Sequence, residues 1–260
     1  MQTLIAIIRS LLMLIFFLSF IILLLIVSVV TLRKWNLRFS GPVLRVFGRL
    51  SLKIMGIKLT LKNDWPFAED EARVVIVNHQ STLDIIWFSA ICPNRLSTIG
   101  KRELMWVPFL NIAWWAFRMF YIDRSDRESA IRTMKFAAEN TIKHKRSVSL
   151  APEGTRTKDG HLLPFKKGVF HLALDARLPI YPVVVCGAAE AMPKHTFWAY
   201  PKPITLQFLP AVPTVDWTED QLDEHIDQIR ESMSEAYYNL RDEMGLAKLE
   251  PPTDSKSALD

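Results

Sequence analysis

Apolar and polar positions change their rhythm several times along the chain. Residues 11–32 form an uncharged run of 22, which as a helix reaches ~33 Å and is long enough to cross the hydrocarbon core of a bilayer. Residues 42–55 then read as an amphipathic helix. Arg45, Arg49 and Lys53 recur every four positions, while Val43, Val46, Phe47, Leu50 and Ile54 fall on another face. Such a helix is expected in the headgroup plane, apolar side down and cations among lipid phosphates, although a core-facing helix with a solvated basic side gives the same stripe. Past Trp65-Pro66, short β-branched or aromatic runs bounded by turn residues predict strands at 74–77, 96–99, 120–122, 148–151, 181–186 and 204–208. Between them, Ile131, Met134, Ala138 and Ile142 trace one helical stripe, and Leu222, Ile226, Ile229, Met233, Tyr237 and Leu240 another.

This alternation predicts an α/β fold with a mostly buried sheet flanked by helices, preceded by an N-terminal transmembrane helix and a basic amphipathic helix. The corresponding organisation is a membrane-anchoring segment at 1–63, one domain at 64–249 and a loose tail at 250–260. The aromatic stretch 106–121 holds Trp106, Phe109, Trp114, Trp115, Phe117 and Phe120, but Pro108, Asn111 and Arg118 interrupt it. It is expected to be buried or interfacial and not to span.

Charge sharpens the picture. The net charge of +5 comes entirely from residues 1–63, which carry nine basic residues and no acid, whereas the rest holds 27 acids against 23 basic residues. Basic character next to a long apolar run points to anionic lipid headgroups and away from nucleic acid. The run exceeds a signal peptide's apolar region and leads into Arg33-Lys34 in place of a small-residue cleavage site. With the cations on its C-terminal flank, everything after Leu32 is expected on the cytoplasmic side, of the inner membrane if the cell is bacterial. Cys92 and Cys186 stand apart with no metal-type spacing, so packed thiols in a reducing compartment are expected, with no metal and no disulfide.

The chemistry-bearing residues follow two predicted strands. After 74–77 comes Asn78-His79-Gln80-Ser81-Thr82-Leu83-Asp84. A His at a strand's end, with a carboxylate five positions on where a helix can begin, suits a general base whose tautomer the carboxylate fixes; a helix-capping pair has the same spacing. After 148–151 comes Pro152-Glu153-Gly154-Thr155-Arg156, in which Gly permits close backbone approach, Thr supplies a hydroxyl and Arg a planar fork suited to phosphate. Lys166-Lys167 precede Gly168 and another predicted helix start.

Four ordered blocks resemble the glycerolipid acyltransferase family: Asn78-His79 through Asp84, Tyr121-Ile122-Asp123-Arg124, Pro152 through Arg156, and Leu178-Pro179-Ile180-Tyr181-Pro182. The similarity is greatest to 1-acylglycerol-3-phosphate acyltransferases of bacterial type. The resemblance implies an α/β acyltransferase domain at the membrane that moves a fatty acyl group from acyl-CoA or acyl carrier protein to lysophosphatidic acid, with no cofactor beyond that co-substrate. It implies His79 as base and Asp84 as its orienting partner. Arg124, Glu153, Gly154, Thr155 and Arg156 would shape the acceptor site, Lys101 would add a phosphate contact, and Pro179 and Ile180 would help build the acyl-donor side. The chain departs from the family pattern at Ala151, Thr157 and Tyr121.

The reaction is physically economical, because a thioester is already activated and needs only a base, a place for the developing oxyanion and alignment of two lipid-like substrates. Competing readings are a hydrolase using Ser81, which lacks a G-x-S-x-G elbow, a catalytically silent lipid-binding membrane protein, and an acyltransferase for glycerol 3-phosphate or another lysolipid.

Overall fold

The structure, a computed structural model, describes residues 2–249 except 33, 35, 67–70, 124 and 158–159, and excludes the side chains of 36–38 and 127. The expected tail at 250–260 lies outside the described residues.

Seven strands form one sheet in the order β1-β7-β6-β2-β5-β3-β4. They are β1 (Leu59–Leu61), β2 (Arg73–Val77), β3 (Leu96–Lys101), β4 (Phe120–Ile122), β5 (Ser147–Leu150), β6 (Ile180–Cys186) and β7 (Ile204–Phe208). All neighbouring pairs are parallel except β6 and β7. The central β2 and β6 are buried on both faces, and alternation sorts their side chains. Val75, Val77, Val183 and Val185 join one core, and Val74, Ile76, Val184 and Cys186 the other. The second core is closed by α5 (Arg127–Lys143), α6 (Gly168–Ala176) and α8 (Leu222–Glu243), and the first by α1 (Gln2–Val30), α2 (Asn36–Met55), α3 (Asp84–Ile91) and α4 (Leu110–Ala116). A short α7 (Ala188–Ala191) follows β6. All six predicted strands are present. The pattern missed β1, a three-residue edge strand with two exposed positions, too short for an alternating signal.

Helix α1 begins nine residues before the uncharged run and takes in Arg9. It is long and apolar enough to cross a membrane, yet it lies along the body of the protein. Ala6, Met13, Ile21, Leu24 and Ser28 are buried as a stripe, while Leu11, Leu12, Ile15, Ile22, Leu23 and Ile26 are exposed on other faces. The Ala199 amide donates to Ser10 Oγ at 3.0 Å, and Phe20 stacks on Phe47 of α2 with centroids 4.3 Å apart.

The basic face of α2 differs from the lipid-facing expectation. Arg45 donates to the Cys92 carbonyl at 2.8 Å and to Asn94 Oδ1 at 2.6 Å, and Arg49 reaches the Ala90 carbonyl at 3.4 Å. Two of the three cations therefore cover the C-terminal end of α3, where carbonyls lack helical partners and the helix dipole favours positive charge. Lys53, Val46 and Leu50 are exposed, and Phe47 is buried. Close approach makes this possible: a Cβ added at Gly48 would sit 2.3 Å from the Ala90 nitrogen, and one at Gly41 2.3 Å from the Pro93 carbonyl oxygen.

Candidate active site

Strand β2 delivers the central residues to the sheet's C-terminal edge. Asn78 holds the edge shut: its amide donates to the Val185 carbonyl at 2.9 Å and accepts from the Val185 N–H at 2.7 Å. The chain then turns through His79 into α3, whose first residue is Asp84. His79 Nδ1 lies 2.7 Å from Asp84 Oδ2. The same oxygen accepts the amides of Gln80 (2.9 Å) and Ser81 (3.0 Å), and Oδ1 accepts the Trp87 indole N–H at 2.7 Å. An ionised carboxylate only accepts, so His79 donates from Nδ1 and its Nε2 is left with a lone pair. Four donors also fix the rotamer of Asp84, which presets the imidazole.

Glu153 plays a different part from the acceptor contact expected of it. Its carboxyl is 2% exposed and ties two loops together, accepting the His79 amide at 2.8 Å and the Leu163 amide at 3.1 Å. Burial pushes its pKa up to about 7, against the pull of those two amides and of His79. The turn above it needs Gly154, at φ +71°, where the Lys166 side chain would lie 3.1 Å from an added Cβ. Lys166 thus reaches the turn, whereas Lys167 pairs with Asp223. Arg156 donates to Thr82 Oγ1 at 2.7 Å, joining this turn to the His79 loop.

His79, Asp84, Lys101, Gly154, Thr155 and Arg156 all line one cavity of about 460 Å³. Its deeper wall is apolar, with Phe17 and Phe20 of α1, Phe47 of α2, Phe88 of α3 and Trp114 of α4. Pro179 and Ile180 are not brought to it. Ile180 pairs with Val74, five residues before His79, which puts it about 16 Å away at the opposite edge of the sheet, and it is fully buried in the core. The Pro179 carbonyl accepts the Val74 amide. Arg124 lies outside the described residues. Ser81 donates to the Met192 carbonyl and is turned away from any Ser–His dyad. The amides of His79, Gln80, Ser81 and Gly154 are all engaged within the protein. Among the described residues no group of three or more His, Cys, Asp or Glu side chains is placed to hold a metal.

Sequence reading missed a brace behind the site. Gln80 Nε2 donates to the Tyr237 hydroxyl at 2.5 Å, and that hydroxyl donates to the Gly160 carbonyl at 2.7 Å, so one α8 side chain holds the His79 loop and the loop after Arg156. Arg241 donates to the same oxygen at 3.1 Å and to Glu190 at 2.9 Å. Tyr237 read only as part of an apolar stripe, and nothing in that stripe marks its hydroxyl. Tyr237→Phe strands buried partners, each worth about 1–3 kcal/mol. The expected result is a lower Tm by thermal denaturation together with a fall in turnover rate larger than any change in KM. An unchanged Tm would remove the brace.

Residues 58–186 match the model of the Acyltransferase family. These residues form an Acyltransferase-family domain. The chain is 36% identical over 74% of its length to a 1-acyl-sn-glycerol-3-phosphate acyltransferase of Limnanthes douglasii. It is 34% identical over 69% of its length to 1-acyl-sn-glycerol-3-phosphate acyltransferase alpha of Homo sapiens. It spans less than two thirds of these relatives, 65% and 64% of their respective lengths. In fold it is similar to the crystal structure of the 1-acyl-sn-glycerophosphate (LPA) acyltransferase PlsC from Thermotoga maritima. The TM-score is 0.70 at 22% identity, covering 95% of this chain and 100% of the other.

Proposed function

We propose that this acyltransferase moves a fatty acyl group from a thioester of coenzyme A or acyl carrier protein to the sn-2 hydroxyl of 1-acylglycerol 3-phosphate, giving phosphatidic acid. The observation that carries the reading is the joining of three features in one cavity: the His79–Asp84 pair, a cationic rim of Lys101 and Arg156, and an apolar interior. The rim suits a phosphate and the interior an acyl chain. The relatives' names supply the acceptor.

In this mechanism the acceptor hydroxyl gives its proton to His79 Nε2 as its oxygen attacks the thioester carbonyl carbon. Asp84 stabilises the imidazolium that forms. The tetrahedral intermediate collapses, the C–S bond breaks, and the imidazolium returns the proton to the departing sulfur. One ester and one thiol replace one hydroxyl and one thioester. The exposed apolar face of α1 is the natural membrane attachment, and the basic flank after Leu32 favours a domain on the cytoplasmic side.

The test is acyl transfer by detergent-purified protein with a long-chain acyl-CoA or acyl carrier protein donor and a panel of lysolipids and glycerol 3-phosphate. Phosphatidic acid formed preferentially from lysophosphatidic acid supports the reading; preferential transfer to another acceptor replaces the substrate. Arg156→Ala is expected to raise KM for the phosphate-bearing acceptor about 10-fold or more, as loss of a charge-assisted contact would, with little effect on the donor. An unchanged acceptor KM removes Arg156 from phosphate binding.

A further inference from the structure

The stretch joining β3 to α4 presents apolar side chains to the outside. Trp106 is 83% exposed and Phe109 46%, and Met105 and Val107 beside them are also exposed. A single exposed Leu means little, but four adjacent large apolar residues with an indole at their centre form a patch that water disfavours. The backbone helps to present them: Phe109 sits at φ +67°, a conformation costly for a bulky residue. Immediately inward, Lys101, Leu104 and Leu110 line the cavity, whose wall is continued by Phe17, Phe20 and Ile21 of α1. The patch therefore adjoins the cavity wall that the candidate membrane helix also builds.

Its charge is one-sided. Residues 104–122 contain no acid and one basic residue, Arg118, which follows α4. Cations gather around that end. Arg95 donates to the His144 carbonyl and Arg146 to the Arg118 carbonyl. The pKa of His144 is held down by burial first and then by Lys143, Arg146, Arg118 and Arg95. Immediately before the patch stand the exposed Lys101, Arg102 and Glu103, two cations against one acid, with Arg102 also paired to Asp123. An aromatic patch flanked in this way is complementary to the interfacial layer of an anionic bilayer, where indole rings sit at headgroup depth.

We infer that residues 105–109, centred on Trp106, form a second membrane contact distinct from α1, seated in the interfacial layer of an anionic bilayer beside the cavity. Lipid substrates would then pass between bilayer and cavity along a continuous apolar surface.

The full chain carrying Trp106→Cys is spin-labelled and reconstituted into vesicles of phosphatidylethanolamine and phosphatidylglycerol. The two native cysteines are buried and their thiols are pushed up to about 12 by burial, so they resist labelling. Collisions with oxygen, which concentrates in lipid, are compared with collisions with a water-soluble nickel chelate. A label at the exposed Glu235 of α8, on the other side of the sheet, reports water. The expected result at position 106 is oxygen accessibility above nickel accessibility, reversed at 235. Val107→Cys gives an independent site should Trp106→Cys lower the thermal stability. Labels at both 106 and 107 as open to nickel as at 235 would overturn the inference. So would spin–spin broadening at 106 that vanishes on dilution with unlabelled protein, which would show a second copy on the patch.

Discussion

His79→Ala is expected to lower kcat by about 10²- to 10⁴-fold, the usual worth of a positioned general base, with KM for both substrates and Tm close to wild type. The structural side of this expectation comes from the pair's asymmetry. The imidazole is 32% exposed, and its removal leaves Asp84 with three donors, the Gln80 and Ser81 amides and the Trp87 indole. The loop therefore keeps its shape without the ring. Asp84→Ala is the contrasting case, since it strands those three donors as well as releasing His79. Steady-state transfer assays with a thermal melt of the same samples separate the two. Turnover retained in His79→Ala would remove the general-base role.

Glu153→Gln is expected to alter the pH dependence of stability. A free glutamate titrates near 4.3, and burial raises Glu153 to about 7, so the folded state holds this proton more tightly than the unfolded chain. Its contribution is complete below the unfolded value and is lost as pH rises through the folded one. Wild-type stability should therefore carry a decline between about pH 4.5 and 7 on the order of 3 kcal/mol at its fullest. The amide substitution, which cannot titrate, removes that slope. Its single carbonyl oxygen accepts only one of the two amides now bound at 2.8 and 3.1 Å, so the variant starts lower at pH 5, by about 1–3 kcal/mol, and converges toward wild type near pH 7.5. Denaturant unfolding at the two pH values measures this. Equal slopes in both proteins would show that Glu153 does not hold a proton in the folded state.

Much of the site was legible because its chemistry is local. His79 and Asp84 are five residues apart across one strand end and one helix start, and alternation in β2 fixes where that strand ends. The Pro152–Arg156 turn follows β5 for the same reason, and parallel pairing of β2 with β5 sets the two loops side by side. What escaped depends on distant pairing. Tyr237 is 157 residues from Gln80, and an apolar stripe looks the same whether or not its tyrosine hydroxyl has work to do. Pro179 and Ile180 were misplaced because a motif at the start of a parallel strand reaches the opposite end of the sheet from one at its finish. The cations of α2 show the complementary failure: an amphipathic pattern gives a face but not its neighbour, and here the neighbour is the C-terminus of α3.

That seating of α2 has an architectural meaning. Gly41 and Gly48 let α2 sink onto α3, and α3 starts with the carboxylate that orients His79. Phe17, Phe20 and Phe47 meanwhile form part of the cavity wall. The N-terminal helices are consequently part of the cavity's wall and not a tether hung from it. Severing the chain before β1 would remove that wall, so the apolar N-terminal helices and the cavity must be inherited, swapped or redesigned as one piece.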